Sequence, residues 1–131
     1  MIVVDSSVWI NNLRDNQTPG VARLRAAIIA EEDILLGDLV LLEILQRARD
    51  DLHAARIERD LGCFPVANML DKQIAALAAR NFRHLRGLGI TLRAAADLII
   101  GTYCLRHGHV LLHEDRDFAP MIQHLGLQSL F

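Results

Sequence analysis

The sequence predicts an α/β fold in which a parallel sheet lies between helices. Three observations carry that prediction. Residues 2–4, 34–36 and 110–112 are short, continuously apolar runs, as expected of strands buried on both faces. Longer stretches with apolar residues at helical spacing stand between them. The two kinds alternate along the chain, and such alternation builds parallel sheets through crossover helices.

The elements follow in order. The strand over 2–4 is β-branched, and Ser6 or Ser7 is placed to cap a helix over 8–14. Asp15-Asn16-Gln17-Thr18-Pro19-Gly20 reads as a loop, with Pro and Gly as punctuation. A helix is expected over 21–30 and a second strand over 34–36, closed by Gly37. Asp38 is placed to cap a helix over about 39–48, after which come a polar helix over about 51–61 and an extended piece over 64–66. A long amphipathic helix is expected over 69–88, ended by Gly87 and Gly89. Thr91 starts another, running to about 107 and stopped by Gly108. The third clear strand is 110–112; a short helix over 118–125 and a final edge strand over 127–131 complete the series. There is no internal repeat, linker or low-complexity tract, so residues 1–131 read as a single domain.

Composition narrows the class. Half the residues are hydrophobic (52%), enough for a sizeable core and too many for a disordered chain. The formal net charge is −2, so nucleic acid is not held by bulk charge and any such contact must be local. The basic residues are nearly all arginine, Lys72 being the only lysine. Cys63 and Cys104 lack the close spacing of a metal or redox pair and are expected as free thiols. The opening Met1-Ile2-Val3-Val4-Asp5 lacks the basic start and long apolar stretch of a secretory signal, and no apolar run reaches the roughly eighteen residues of a spanning helix. A cytoplasmic protein is expected.

Acidic residues carry the functional signal. Nine of the sixteen stand in polar company, at positions 15, 31, 32, 33, 50, 51, 58, 60 and 71, and read as solvated surface; Asp38 reads as a cap. Others stand beside apolar runs: Asp5 after Ile2-Val3-Val4, Glu43 inside Leu39-Val40-Leu41-Leu42-Glu43-Ile44-Leu45, Asp97 inside Ala94-Ala95-Ala96-Asp97-Leu98-Ile99-Ile100, and Asp115 and Asp117 just after Val110-Leu111-Leu112. An ionised carboxylate in apolar surroundings is costly unless compensated. In an open parallel sheet, ligands bind beyond the carboxyl ends of the strands, where Asp5 and Asp115 fall. Carboxylates gathered there repel each other unless some take up protons or a cation binds. Oxygen-only ligands select hard ions, chiefly Mg²⁺ or Mn²⁺, and such ions serve hydrolysis or transfer at phosphate.

The same residues form four motifs that resemble one family. Val4-Asp5-Ser6-Ser7-Val8-Trp9-Ile10 is similar to the opening of PIN-domain toxins, an apolar strand followed by Asp and a small hydroxyl residue. Leu41-Leu42-Glu43-Ile44-Leu45 resembles their second motif, Ala96-Asp97-Leu98-Ile99-Ile100-Gly101 their third, and Leu111-Leu112-His113-Glu114-Asp115-Arg116-Asp117-Phe118 their fourth. The motifs come in family order over nearly the whole chain, and the resemblance is to the VapC ribonucleases of type II toxin–antitoxin pairs. It implies a PIN-like three-layer sandwich with a parallel sheet of four or five strands. It also implies an endoribonuclease, a hydrolase that cuts RNA (frequently tRNA) with Mg²⁺ or Mn²⁺. Asp5, Glu43, Asp97 and Asp115 match the four acidic positions, with Asp5, Asp97 and Asp115 as metal ligands and Glu43 binding metal or orienting the attacking water. Asp117 matches a fifth, less regular acid, and Ser7 the hydroxyl residue near the metal. Arg93 and Arg116 are candidates for flanking phosphates. Family members commonly carry Thr or Ser where this chain has His113, a departure that leaves the acid set intact. The implied partners are a VapB-type antitoxin lying over the active site, a second copy in a homodimer, RNA as substrate, and operator DNA only through the antitoxin. No membrane partner is implied. Ile10, Leu13 and Leu24 are candidates for the protein contacts.

Other readings fit less well. A receiver domain needs an acid pair after the first strand and a lysine near the last, and a haloacid-dehalogenase phosphatase needs Asp-x-Asp where Ser7 stands. A zinc site would draw on His107, His109 and His113. The main alternative of another class is a PIN-like protein-interaction module without useful nuclease activity.

Overall fold

In the computed structural model, which describes residues 1–130, four strands form one all-parallel sheet flanked by seven α-helices. The strands are β1 (Ile2–Val4), β2 (Ile34–Gly37), β3 (Val66–Ala67) and β4 (Val110–Leu112). The helices are α1 (Ser6–Leu13), α2 (Pro19–Ile29), α3 (Asp38–Leu45), α4 (Asp51–Asp60), α5 (Lys72–Gly87), α6 (Ala95–His107) and α7 (Ala119–Leu125), with a 3₁₀ turn at Arg116–Phe118. Spatial order is β3-β2-β1-β4, with Ile2 opposite both Ile34 and Val110. The chain thus runs outward from β1 through β2 to β3, then returns to add β4 on the other side of β1. That reversal opens a crevice beyond the ends of β1 and β4, where open parallel sheets bind ligands. Among the described residues, no helix is long and apolar enough to cross a membrane.

The core explains why these runs form strands. Val3, Val4, Leu36, Leu111 and Leu112 are almost wholly buried between helices that contribute Trp9, Leu24, Ile44, Leu85, Ile100 and Met121. Leu24, one of the candidates for a protein contact, is fully buried and belongs to this core. Close approach is built in at Gly101, where an added Cβ would lie 2.5 Å from Met121 Cε, so α6 and α7 meet through a missing side chain.

Several element ends differ from expectation. Helix α1 starts at Ser6 because Asp5, not a serine, is its N-cap. Helix α2 starts at Pro19, with Thr18 accepting the Val21 N–H at 3.1 Å and proline fitting the first turn, whose N–H groups need no partner. Asp38 lies inside the first turn of α3; Gly37 is the N-cap, and Asp38 Oδ1 accepts from both Leu39 N and Met69 N. Met69 is therefore pulled out of α5 into the core, and α5 begins after Asp71, which accepts the Ile74 N–H at 2.8 Å. Helix α6 starts at Ala95 rather than Thr91. Residues 90–94 alternate between half-buried and exposed, with Ile90 and Leu92 against the core, and that two-residue period holds the segment extended. Pro65 has no N–H and only accepts, from Leu36 N, so β3 begins one residue later. The expected edge strand over 127–131 reduces to a single parallel bridge, Leu111 with Ser129; Phe131 lies outside the described residues.

Candidate metal centre and active site

Four local structures converge on the crevice. Asp5 continues β1: its N–H donates to Leu112 O at 2.9 Å, extending the pairing with β4. Its side chain turns back as the cap of α1, Oδ2 accepting from Ser7 N at 3.1 Å and Ser7 Oγ at 2.6 Å. The second oxygen, Oδ1, is buried without a hydrogen-bond partner, in a residue only 2% exposed. Glu43 projects from α3, with Oε1 likewise buried and unpartnered. Asp97, 7% exposed, lies in the first turn of α6, whose free N–H groups favour a negative side chain. Asp115 follows β4 and caps the 3₁₀ turn, Oδ1 accepting the Asp117 N–H at 2.9 Å.

Carboxylate oxygens of Asp97, Asp115 and Asp117 all lie within 4.8 Å of one another. Asp5 and Glu43 stand outside that triad but wall the same cavity, of about 410 Å³, which Ser7, Asn11 and Arg47 also line. A smaller cavity of about 200 Å³ shares Ala94, Asp97 and Asp117 with the first, and there Arg93 and Arg116 line the wall.

Crowding of negative charge shows in the acidities. Burial raises the Asp97 carboxyl from its usual 3.8 to about 7, and the charges of Asp5, Asp115, Glu43 and Asp117 add to the effect. Asp5 is raised by burial, opposed by its hydrogen bonds to Ser7. Glu43 is raised by burial and by Asp5, while Ser6 and Arg47 pull it back. The donor set fits a hard divalent cation: all oxygen, densely negative, with two buried oxygens left unpartnered.

The histidines separate. His113 is buried against Phe118, ring centroids 5.1 Å apart, and its Nδ1 accepts the Asp115 N–H at 3.3 Å. His107 and His109 stack with each other at the opposite end of β4, so the three do not form one site. Among the described residues, the one group of three or more metal-ligating side chains is the acidic triad.

Two features escaped the sequence reading. Arg47, four residues after Glu43, lines the acid cavity. Glu114, an acid on a polar loop and so outwardly ordinary, accepts hydrogen bonds from Asn11 Nδ2 and Thr18 Oγ1.

Residues 2–121 match the family model described as PIN domain, and the chain belongs to that family. Within it, the chain is 29% identical over 130 residues to VapC ribonuclease Mb1587 of Mycobacterium bovis, covering 98% of this chain and 97% of the relative. Ribonuclease VapC11 of Mycobacterium tuberculosis matches to the same extent, 29% over 130 residues. Among solved structures, VapBC2 from Rickettsia felis bound to a DNA fragment from its promoter aligns with a TM-score of 0.76 at 12% identity, covering 98% of this chain and 97% of the other, a likeness of fold.

Proposed function

We propose that this chain is the toxin of a type II toxin–antitoxin pair, a VapC-like endoribonuclease that hydrolyses RNA phosphodiester bonds with Mg²⁺ or Mn²⁺ and acts as a single domain in the cytoplasm. One observation supports this above others: five carboxylates from four separate stretches of chain wall one cavity beyond the ends of β1 and β4. Charge concentrated in this way, with Asp97 pushed up to about 7, is a standing cost unless a cation relieves it. The likeness to relatives named as ribonucleases supplies the substrate class.

The side chains divide the work as follows. Asp97, Asp115 and Asp117 would hold the cation, with Asp5 lining the same cavity. When bound, the ion supplies Lewis-acid stabilisation of the phosphoryl charge and makes water a better nucleophile. Ser7 fixes the Asp5 carboxylate through its hydroxyl and its N–H. Glu43, raised above its usual value by burial and by Asp5, lines the cavity where it can take a proton from the attacking water. Attack in line at phosphorus leaves a 3′-hydroxyl and a 5′-phosphate. Arg93 and Arg116 in the adjoining cavity, and Arg47 in the acid cavity, receive flanking phosphates.

The partners follow the same reading. A VapB-type antitoxin segment runs along the apolar cleft lined by Ile10, Leu13, Ile44 and Ile57, which shares Ile10 and Arg47 with the acid cavity. A second copy packs to give the homodimer, and operator DNA is contacted through the antitoxin alone. The test is cleavage of a tRNA-containing RNA pool by purified protein. Cleavage is expected with Mg²⁺ or Mn²⁺, none in excess EDTA, and none from Asp97→Asn. Undiminished cleavage by Asp97→Asn rules out the assignment.

A further inference from the structure

Glu114 does no chemistry in this scheme, yet it is tied down more fully than an exposed glutamate needs to be. One carboxylate oxygen accepts from Asn11 Nδ2 at 3.1 Å and the other from Thr18 Oγ1, joining α1 to the N-cap of α2. Its backbone N–H donates to Ser7 Oγ at 3.1 Å, and that hydroxyl is the one donating to Asp5 Oδ2. Asn11 is held in turn, its Oδ1 accepting from Asn16 Nδ2 at 2.9 Å. The seat is carved in the backbone: a Cβ added at Gly20, a buried residue in the first turn of α2, would lie 2.0 Å from Glu114 Oε1. Glycine is a poor choice inside a helix, and here the Glu114 carboxylate occupies the space any side chain would need.

The next residue in the chain is Asp115, which carries Asp117 through its cap hydrogen bond. These two carboxylates lie against Asp97 and repel it, so without a cation the loop is under electrostatic pressure to swing outward. From this geometry we infer that Glu114 is a positioning residue: it clamps the loop bearing Asp115 and Asp117 to helices α1 and α2, so that the cluster is already formed when a cation arrives. An ordering cost met on folding no longer weakens binding. The inference rests on the metal-site reading above and adds Glu114 and its seat, Gly20, to it.

The test reads Mn²⁺ affinity by calorimetry in Glu114→Ala, Gly20→Ala and the double variant, beside melting temperature and amide hydrogen exchange of the metal-free proteins. Each single variant is expected to weaken Mn²⁺ binding by about three- to tenfold, at or below the lower edge of what residues bonded directly to a ligand contribute, since Glu114 acts one step further out. Melting temperature should scarcely move, because Glu114 is exposed and alanine suits a helix better than glycine. The amides of Asp115 and Asp117 should exchange faster. The double variant should bind no more weakly than either single one, since both remove the same clamp. Glu114→Gln, which keeps an acceptor for Thr18, should recover part of the loss. Gly20→Ala removes no hydrogen-bonding group and acts only by displacing the Glu114 carboxylate, so it decides the matter should Glu114→Ala fail to fold. Parent-like Mn²⁺ binding in both single variants, or losses that multiply in the double, would overturn the clamp alone. A parent protein that binds no Mn²⁺ would overturn the metal-site reading and the clamp with it.

Discussion

Replacing Asp97 by Asn should stabilise the metal-free protein while destroying its activity, and the size of the effect follows from the site. The Asp97 carboxyl moves from 3.8 to about 7 on folding. At about 1.36 kcal/mol per unit, holding it ionised near pH 8 costs the folded state about 4 kcal/mol at most. Water entry and side-chain relaxation reduce that to about 2 kcal/mol, because the cavity is open to solvent. For 131 residues this corresponds to about 7 °C in melting temperature. The sign runs one way: a carboxyl whose folded value lies above its free value stabilises at low pH, and that contribution is lost as pH rises from about 4 toward 7. The advantage of Asp97→Asn should therefore be greatest near pH 8, fall to roughly a third of that near pH 5 and vanish below about pH 3, measured by thermal denaturation in excess EDTA. Adding Mn²⁺ should raise the melting temperature of the parent and leave the variant nearly unmoved. A variant less stable than the parent near pH 8 without metal would show that Asp97 is held by favourable contacts rather than against repulsion, and the electrostatic account would fail.

Two further outcomes are expected. Ser7→Ala removes the 2.6 Å hydrogen bond to Asp5 and the acceptor for Glu114 N, and should lower thermal stability by about 1 kcal/mol while weakening Mn²⁺ binding roughly tenfold, read by denaturation and calorimetry. Arg93→Ala combined with Arg116→Ala should raise KM for RNA severalfold with little change in kcat, and should flatten the salt dependence of RNA binding by about one contact per arginine, because both line the cavity beside the acid cluster without joining it.

Much of the fold was legible because the buried strands are unbroken apolar runs and could not be mistaken for surface. Where element ends were misplaced, a distant partner decided. Asp38 looked like a simple cap, but its second hydrogen bond reaches Met69, thirty-one residues on, and draws that residue out of its helix. Thr91 carried a helix-start signal, yet Ile90 and Leu92 reach the core only from an extended backbone. Thr18-Pro19 was a readable start that the polar stretch around it disguised.

The acid set was legible for a related reason: Asp5, Glu43 and Asp97 stand where solvation alone would not put them. What sequence left open was their grouping. The sequence marks Asp117 as a less regular fifth acid; in the structure its carboxylate comes within 4.8 Å of those of Asp97 and Asp115, because the 3₁₀ turn folds Asp117 back beside Asp115. Glu114 gave no sign, since an acid in polar company reads as surface until Asn11, Thr18 and the empty space at Gly20 are seen around it.

The position of β1 between β2 and β4 has a consequence for the timing of synthesis. Asp5 is made more than a hundred residues before Leu112, the neighbour that completes its setting, and Asp115 and Asp117 follow Leu112 closely. A nascent chain still lacking β4 has neither Asp115 nor Asp117, two of the five carboxylates, and one flank of its central strand is bare. The acid cavity can therefore close only once β4 and the turn after it have been made.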